Sequence, residues 1–438
     1  MNQQTTHGRA GAADLAGPLI EMVRGRFPAL AVTDDNGPRI YFDNPAGTQV
    51  PDLVIDRVTA YYRETNANYG GRFRTSRATV ELARQAREGM AAFVNARAAD
   101  EIIIGPNMTS LTYAVARVLA SSFRPGDEIL LTRMDHDANV TPWVQLARRH
   151  GLVIRWLDFD PHTYRYDLTA LESLVTERTV LAAFNYASNI TGTINDVAAI
   201  VAGVKAASNA LCYVDAVQFA PHGAIDVQQL GCDFLVCSAY KFYGPHVGVL
   251  WGRLDLLEQL QPDKLRAAPN AVPHRFETGC ANSEGIAGLL GAIEYYRWLG
   301  DTLAGNSEGV NGTGCSLRRA ITAAKAWMCD HERALAGRLI HGLDSLPGIT
   351  VHGLTDDADL DERVSTISIT VEGRDPATLA EALGERNVFT WSGHNYAVDV
   401  IDTLGCADNG GVLRFGPVHY NTIEEVDDVI RLMHDLVT

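Results

Sequence analysis

The sequence has 438 residues, with 37 Lys plus Arg against 53 Asp plus Glu, and its net charge of -16 excludes the basic footprint of a nucleic-acid binder. A content of 46% hydrophobic and 21% charged residues excludes disordered and collagen-like chains and leaves a globular protein large enough for two domains. No apolar run reaches the roughly 18 to 20 residues of a bilayer span, and the opening MNQQTTHGRAGAADLAGPL lacks a signal peptide's apolar stretch, so no membrane partner and a cytoplasmic location are expected.

In chain order, short β-rich runs at Glu101 to Ile104, Glu128 to Thr132, Leu152 to Leu157, Val180 to Asn185, Ala210 to Val214 and Phe234 to Ser238 alternate with longer helix-like segments. Continuous apolar strands of this kind predict a parallel sheet covered on both faces. The Gly-rich stretch Gly300 to Gly314 reads as a loop. After it come a helix-like segment at Ser316 to Leu346, strands at Thr350 to His352, Val364 to Val371 and Gly411 to Phe415, and helices at Pro376 to Glu385 and Thr422 to Leu436, the content of a smaller α+β domain. The cysteines, at 212, 232, 237, 280, 315, 329 and 406, are never spaced as CxxC and read as reduced thiols.

Ligands of open α/β sheets gather at the carboxyl ends of strands. Asp215 and Lys241 each follow an apolar strand, so an acid and an amine are expected at one edge. A lysine beside apolar surroundings is biased toward its free amine, ready to condense with an aldehyde. Pyridoxal 5'-phosphate (PLP) is an aldehyde that uses both groups, because a carboxylate keeps its pyridine nitrogen protonated. The alternative is a lysine snorkelling from a strand end to water. The other lysines, Lys205, Lys264 and Lys325, read as solvated surface. GPNMTS, a turn opening a helix at Met108, Thr109 and Ser110, offers an anion site or plain capping. His136 follows a strand where its ring can lie flat on a cofactor, and metal binding by Asp135, His136 and Asp137 lacks a supporting cluster.

Taken in order, YFDNPAGTQVP, NANYGGRFRTS, GPNMTS, MDHDANVTPW, NYASNITGTIND, VDAVQ, CSAYKFYGP, FETGCAN and VLRFGPVHYNTIEEVD resemble the class V aminotransferase family, in its cysteine desulfurase-like and isopenicillin N epimerase-like branches. The resemblance implies an α/β, fold-type I PLP-dependent transferase. Its large domain (41–295) holds a mostly parallel sheet sandwiched by helices, a smaller α+β domain spans 296–438, and an N-terminal arm (1–40) joins the small domain. It further implies that Lys241 forms the Schiff base, Asp215 holds the pyridine nitrogen, and His136 stacks on the ring. Asn189 and Gln218 would face the ring's 3-oxygen, and Met108, Thr109, Ser238 and Cys280 the phosphate. Arg414 would clamp the substrate carboxylate, with Asn44, Arg72, Arg74, His394 and Tyr396 around the substrate. FETGCAN and NANYGG would be shared across a homodimer.

Three departures bear on the reaction. The persulfide cysteine of desulfurases belongs in a GHHCA-like stretch, and SGHNYAVDV has Tyr396 there, with Cys406 further on as a buried or loop thiol. Tyr240 precedes the lysine where desulfurases carry His, which implies altered proton handling. Cys280 replaces a phosphate-binding Thr and is a weaker donor. The leading expectation is therefore β-elimination from an S-substituted cysteine without a persulfide. Decarboxylating or oxidative deamination of such a conjugate is second, followed by desulfuration, epimerisation and transamination. A PLP-binding regulator is the non-enzyme alternative. Trp391, His394 and Tyr396 suggest an aromatic wall.

Overall fold

The computed structural model describes residues 16–305 and 316–438. Seven strands form the central sheet: β1 (Ile102–Gly105), β2 (Glu128–Thr132), β3 (Val153–Leu157), β4 (Thr179–Asn185), β5 (Leu211–Asp215), β6 (Phe234–Ser238) and β7 (Gly248–Gly252). Their spatial order is β1-β7-β6-β5-β4-β2-β3. β7 is antiparallel to both neighbours and the remaining pairs are parallel. The carboxyl ends of β1, β2, β4, β5 and β6 consequently share one edge.

Side chains alternate across each strand, so the sheet feeds two apolar layers. On β5, Cys212 and Val214 face helices Arg74–Val94, Val197–Ala207 and Ser283–Leu303, while Tyr213 faces helices Met108–Ala120 and Thr141–His150. Each buried Leu, Ile, Val or Phe side chain in these layers contributes about 1.5–3 kcal/mol.

The smaller sheet is antiparallel, in the order β8 (Ile349–His352), β9 (Ile367–Val371), β11 (Val412–Phe415), β10 (Trp391–Gly393). The C-terminal helix Ile423–Val437 covers it and opens with a capping box between Thr422 and Glu425. The helix Leu317–Asp344 is shared. Its Ile321, Ala324 and Met328 lie in the large core, and its Leu335, Leu339 and Leu343 in the small one.

Several expectations need adjustment. β7, bracketed by glycines and one tight turn past Lys241, was not among the expected strands. Residue 295 falls inside helix Ser283–Leu303, where Tyr295 and Tyr296 are both fully buried in the large core. Of the Gly300 to Gly314 stretch, Gly300–Leu303 is helix, and residues 306–315, with Cys315, lie outside the described residues. The arm touches both domains: Val23 and Phe27 sit in the large core, Arg24 pairs with Glu425 at 2.8 Å, and Ile40–Tyr41 pairs with Val388–Phe389. No described helix is long and apolar enough to cross a membrane.

Lys325 is not surface. It is buried, donates to the carbonyls of Ala220 (2.8 Å) and Gly223 (2.7 Å), and lies 3.7 Å from the Phe93 ring centroid. Burial lowers its amine well below the usual lysine range. Lys205 pairs with buried Asp233 at 2.6 Å, and Lys264 donates to the Ala268 carbonyl.

Candidate active site

A cleft opens at the shared strand edge and is lined by Met108, Thr109, His136, Asn189, Asp215, Gln218, Tyr240 and Lys241, together with Asn185, Ala187 and Val217. Lys241 closes a single helical turn, Ala239–Lys241, directly after β6. Its Nζ donates to the Pro45 carbonyl. Burial, with Arg414 adding to it, lowers the amine to about 7, against the opposing pull of Asp43 and Asp215. Asp215 is the last residue of β5. It accepts a hydrogen bond from the Val217 amide at 2.8 Å, and burial raises its carboxyl to about 6.

His136 lies past the turn that follows β2, and its Nδ1 accepts the Ala138 amide at 3.0 Å, which leaves the proton of the neutral ring on Nε2. Burial, Lys241 and Arg414 lower it to about 3, so the imidazole is neutral at pH 7. A neutral flat ring suits stacking on an aromatic cofactor. The ring also stacks on Tyr396, with centroids 5.5 Å apart. Tyr240 stacks on His246 at 4.8 Å, and burial raises its phenol, which stays protonated.

The anion turn follows from local sequence. Asn107 caps helix Met108–Ala120 by accepting the Ser110 amide at 2.8 Å. A Cβ on Gly248 would come within 2.4 Å of the Asn107 backbone, so the first residue of β7 must be glycine for the turn to keep its place. Ser238 does not line the cleft: its fully buried hydroxyl accepts the Met108 amide at 3.0 Å and fixes the helix start.

Arg414, on β11, is buried and reaches the other side. It donates to the Asn189 carbonyl at 3.1 Å and lies 3.7 Å from Asp43, while its Nε has no partner. Burial lowers it to about 10 and raises Asp43 to about 6. Asn189 donates to the Asn395 carbonyl at 2.8 Å and leaves its buried Oδ1 unpartnered, and Gln218 donates to Thr366 at 2.7 Å. An unpaired amide oxygen, an acid, a desolvated amine and a helix N-terminus around one cleft fit the groups of PLP.

Other expected residues lie elsewhere. Asn44 is buried, but its amide donates to the Gly416 carbonyl (2.7 Å) and its oxygen accepts from Tyr420, so it braces the β11 exit. Arg72, Arg74 and Cys280 are exposed and do not line the cleft of their own chain. The loop after β10 approaches without entering: the Tyr396 carbonyl accepts from the Asp137 amide at 2.7 Å, and Tyr396 N donates to His394 Nδ1. Asn395 and Tyr396 both take positive φ (48° and 59°), and Tyr396 is 65% exposed. Cys406 is buried, 3.8 Å from His352, away from the cleft. No group of potential metal ligands occurs among the described residues. Asp43, Pro45, Asn185, Thr366 and His246 were not singled out from sequence. Asp43 and Pro45 stand in YFDNPAG, where the acid was the available signal.

The fold and the cleft define a fold-type I PLP enzyme. The class V aminotransferase model matches residues 40–309 and 304–429. The chain is 34% identical over 94% of its length to aminotransferase-like protein FGM3 of Gibberella zeae, and 32% identical over 94% to a cysteine desulfurase of Pectobacterium atrosepticum, covering 96% of each. The apo cysteine desulfurase from Thermococcus onnurineus NA1 superposes with a TM-score of 0.83 at 27% identity, over 95% of this chain and 98% of that one. The chain belongs to the class V aminotransferase family and is a PLP-dependent, cysteine desulfurase-like enzyme.

Proposed function

We propose that the chain is a carbon-sulfur lyase that eliminates a thiol from an S-substituted cysteine. The observation that carries this reading is that no cysteine of the described residues lines the cleft, although Lys241 and Asp215 both do. Bound PLP supplies an electron sink that acidifies the α-hydrogen of a linked amino acid.

The chain's own groups then divide the work. Lys241 Nζ holds the cofactor and, once displaced, removes the α-proton, a task its lowered proton affinity suits near neutral pH. Asp215 would keep the pyridine proton in place, and the neutral His136 would lie against the ring. Arg414, whose Nε has no partner, would receive the α-carboxylate, and Tyr240, which lines the cleft and stays protonated, would hand a proton to the departing sulfur. With water, the products are the thiol, pyruvate and ammonium, and no acceptor thiol is required.

Purified protein mixed with S-substituted cysteines, with products identified by mass spectrometry, tests this. Thiol plus pyruvate is the expected result. Alanine from free cysteine, with sulfide when a thiol reductant is present, would replace the reading with desulfuration, and carbon dioxide plus an aldehyde formed with consumption of oxygen would replace it with oxidative decarboxylation.

Reconstitution of the apo protein with PLP is expected to accelerate as pH rises through about 7, the Lys241 midpoint, and to level off roughly one to two units above it, where the amine is almost entirely free. A rate still climbing toward pH 10 would mark an ordinary solvated lysine.

The same reading includes a homodimer in the cytoplasm. Its support is that Arg72 and Cys280 are exposed, as are the apolar side chains of Tyr62, Tyr69 and Phe73, which a second copy would cover. Sedimentation should give a dimer, and a fully active monomer would contradict the shared site.

A further inference from the structure

We infer that His419, acting through the Tyr243 hydroxyl, is the positioning device that fixes the Lys241 turn against the small domain. Tyr243 stands two residues past Lys241, is fully buried, and takes φ 69°, a left-handed conformation that a bulky side chain adopts only when its surroundings enforce it. Its amide donates to Thr48 Oγ1 at 2.9 Å, and its hydroxyl lies 3.0 Å from His419 Nδ1.

The other side of that imidazole is equally engaged. Nε2 lies 2.6 Å from the Tyr295 hydroxyl, and the His419 amide donates to Glu332 Oε1 at 3.0 Å. Glu332 Oε2 in turn lies 2.5 Å from His222 Nδ1. All five residues are buried. A neutral imidazole has one donor and one acceptor, and two phenols satisfy both. In a buried setting an unmet polar atom is costly, so a chain of this kind tolerates one relative placement of its members.

Those members come from both domains. His419 follows β11, the strand that carries Arg414. Glu332 sits on the shared helix between Met328 in the large core and Leu335 in the small one. Tyr243, Tyr295 and His222 belong to the large domain. The network therefore sets the separation between the lysine turn and the arginine strand without touching substrate.

The inference rests on Lys241 carrying the cofactor, and the test separates the two. Tyr243→Phe removes one hydroxyl beside Lys241, and Tyr295→Phe removes the matching hydroxyl on the far side of the same imidazole. Both should lose similar thermal stability. Only Tyr243→Phe should move the pH midpoint of the bound cofactor's visible band and lower kcat by roughly 10-fold or more through misplacement of the amine. Should Tyr243→Phe fail to fold, His419→Asn, which keeps a polar atom toward Tyr243, against His419→Leu gives the same comparison, with the midpoint moving more in the latter. A normal wild-type band with an unmoved Tyr243→Phe midpoint, or equal movement in Tyr295→Phe, overturns the inference alone. A wild-type protein without any cofactor band overturns it together with the assignment of Lys241.

Discussion

Replacing Lys241 with Ala should abolish both turnover and the visible band of the covalently held cofactor, with a rate loss of at least about 10³-fold. The amine is unique in the cleft: Lys205 and Lys264 are engaged with Asp233 and Ala268, and Lys325 is sealed against Phe93. No neighbour can take over its role as both attachment point and base. The expected loss is one of kcat, since the Arg414 side remains. The variant should stay folded, because the Lys241 amine has only the Pro45 carbonyl to lose and its removal relieves a desolvated cation. Absorbance spectra and single-turnover assays on the same preparation check both halves, and a variant that keeps even a few per cent of wild-type rate would sink the assignment.

Arg414→Gln should raise KM roughly 100-fold, about 3 kcal/mol, because a bidentate charge-assisted contact to the substrate carboxylate is lost in a water-poor site. The variant also leaves Asp43 without its cation. That carboxyl is already raised to about 6 by burial, with Arg414 holding it down, so it should move higher still and become neutral nearer pH 7. Arg414→Lys should recover only part of the loss, since a point charge cannot reproduce the guanidinium fork. Steady-state kinetics across chain-shortened and decarboxylated substrate analogues supply the check: an amine lacking the carboxylate should react with wild-type and variant alike, and an unchanged KM for the amino acid would remove Arg414 from the substrate site.

The lining of the cleft was legible where it rides on local pattern. Asp215 and Lys241 were placed because each follows a continuous apolar run, and His136 because it follows another. The same logic failed for Lys325, which occupies an Arg-rich helix that looks solvated. Its carbonyl partners, Ala220 and Gly223, come from a distant turn brought in by the tertiary fold. The resemblance puts Ser238 at the phosphate and Asn44 at the substrate, and in the folded chain the Ser238 hydroxyl accepts the Met108 amide while the Asn44 amide donates to the Gly416 carbonyl. Thr366 carries no local signal at all, and its place beside Gln218 depends on how the small sheet meets the large one. Residue type indicates which polar groups are available; burial and long-range partners decide which remain free.

The helix Leu317–Asp344, 28 residues and so about 42 Å long, is common property of two apolar cores. A beam of that kind makes the domains interdependent in folding: melting one core frays the structural support of the other. Heat or denaturant should accordingly unfold the chain in one transition, and hollowing the large-core half with Met328→Ala should lower the midpoint of the small sheet as much as that of the large. Evolution on such a scaffold is constrained in kind, since the small domain cannot be exchanged as a module without replacing half of the strut that its neighbour leans on.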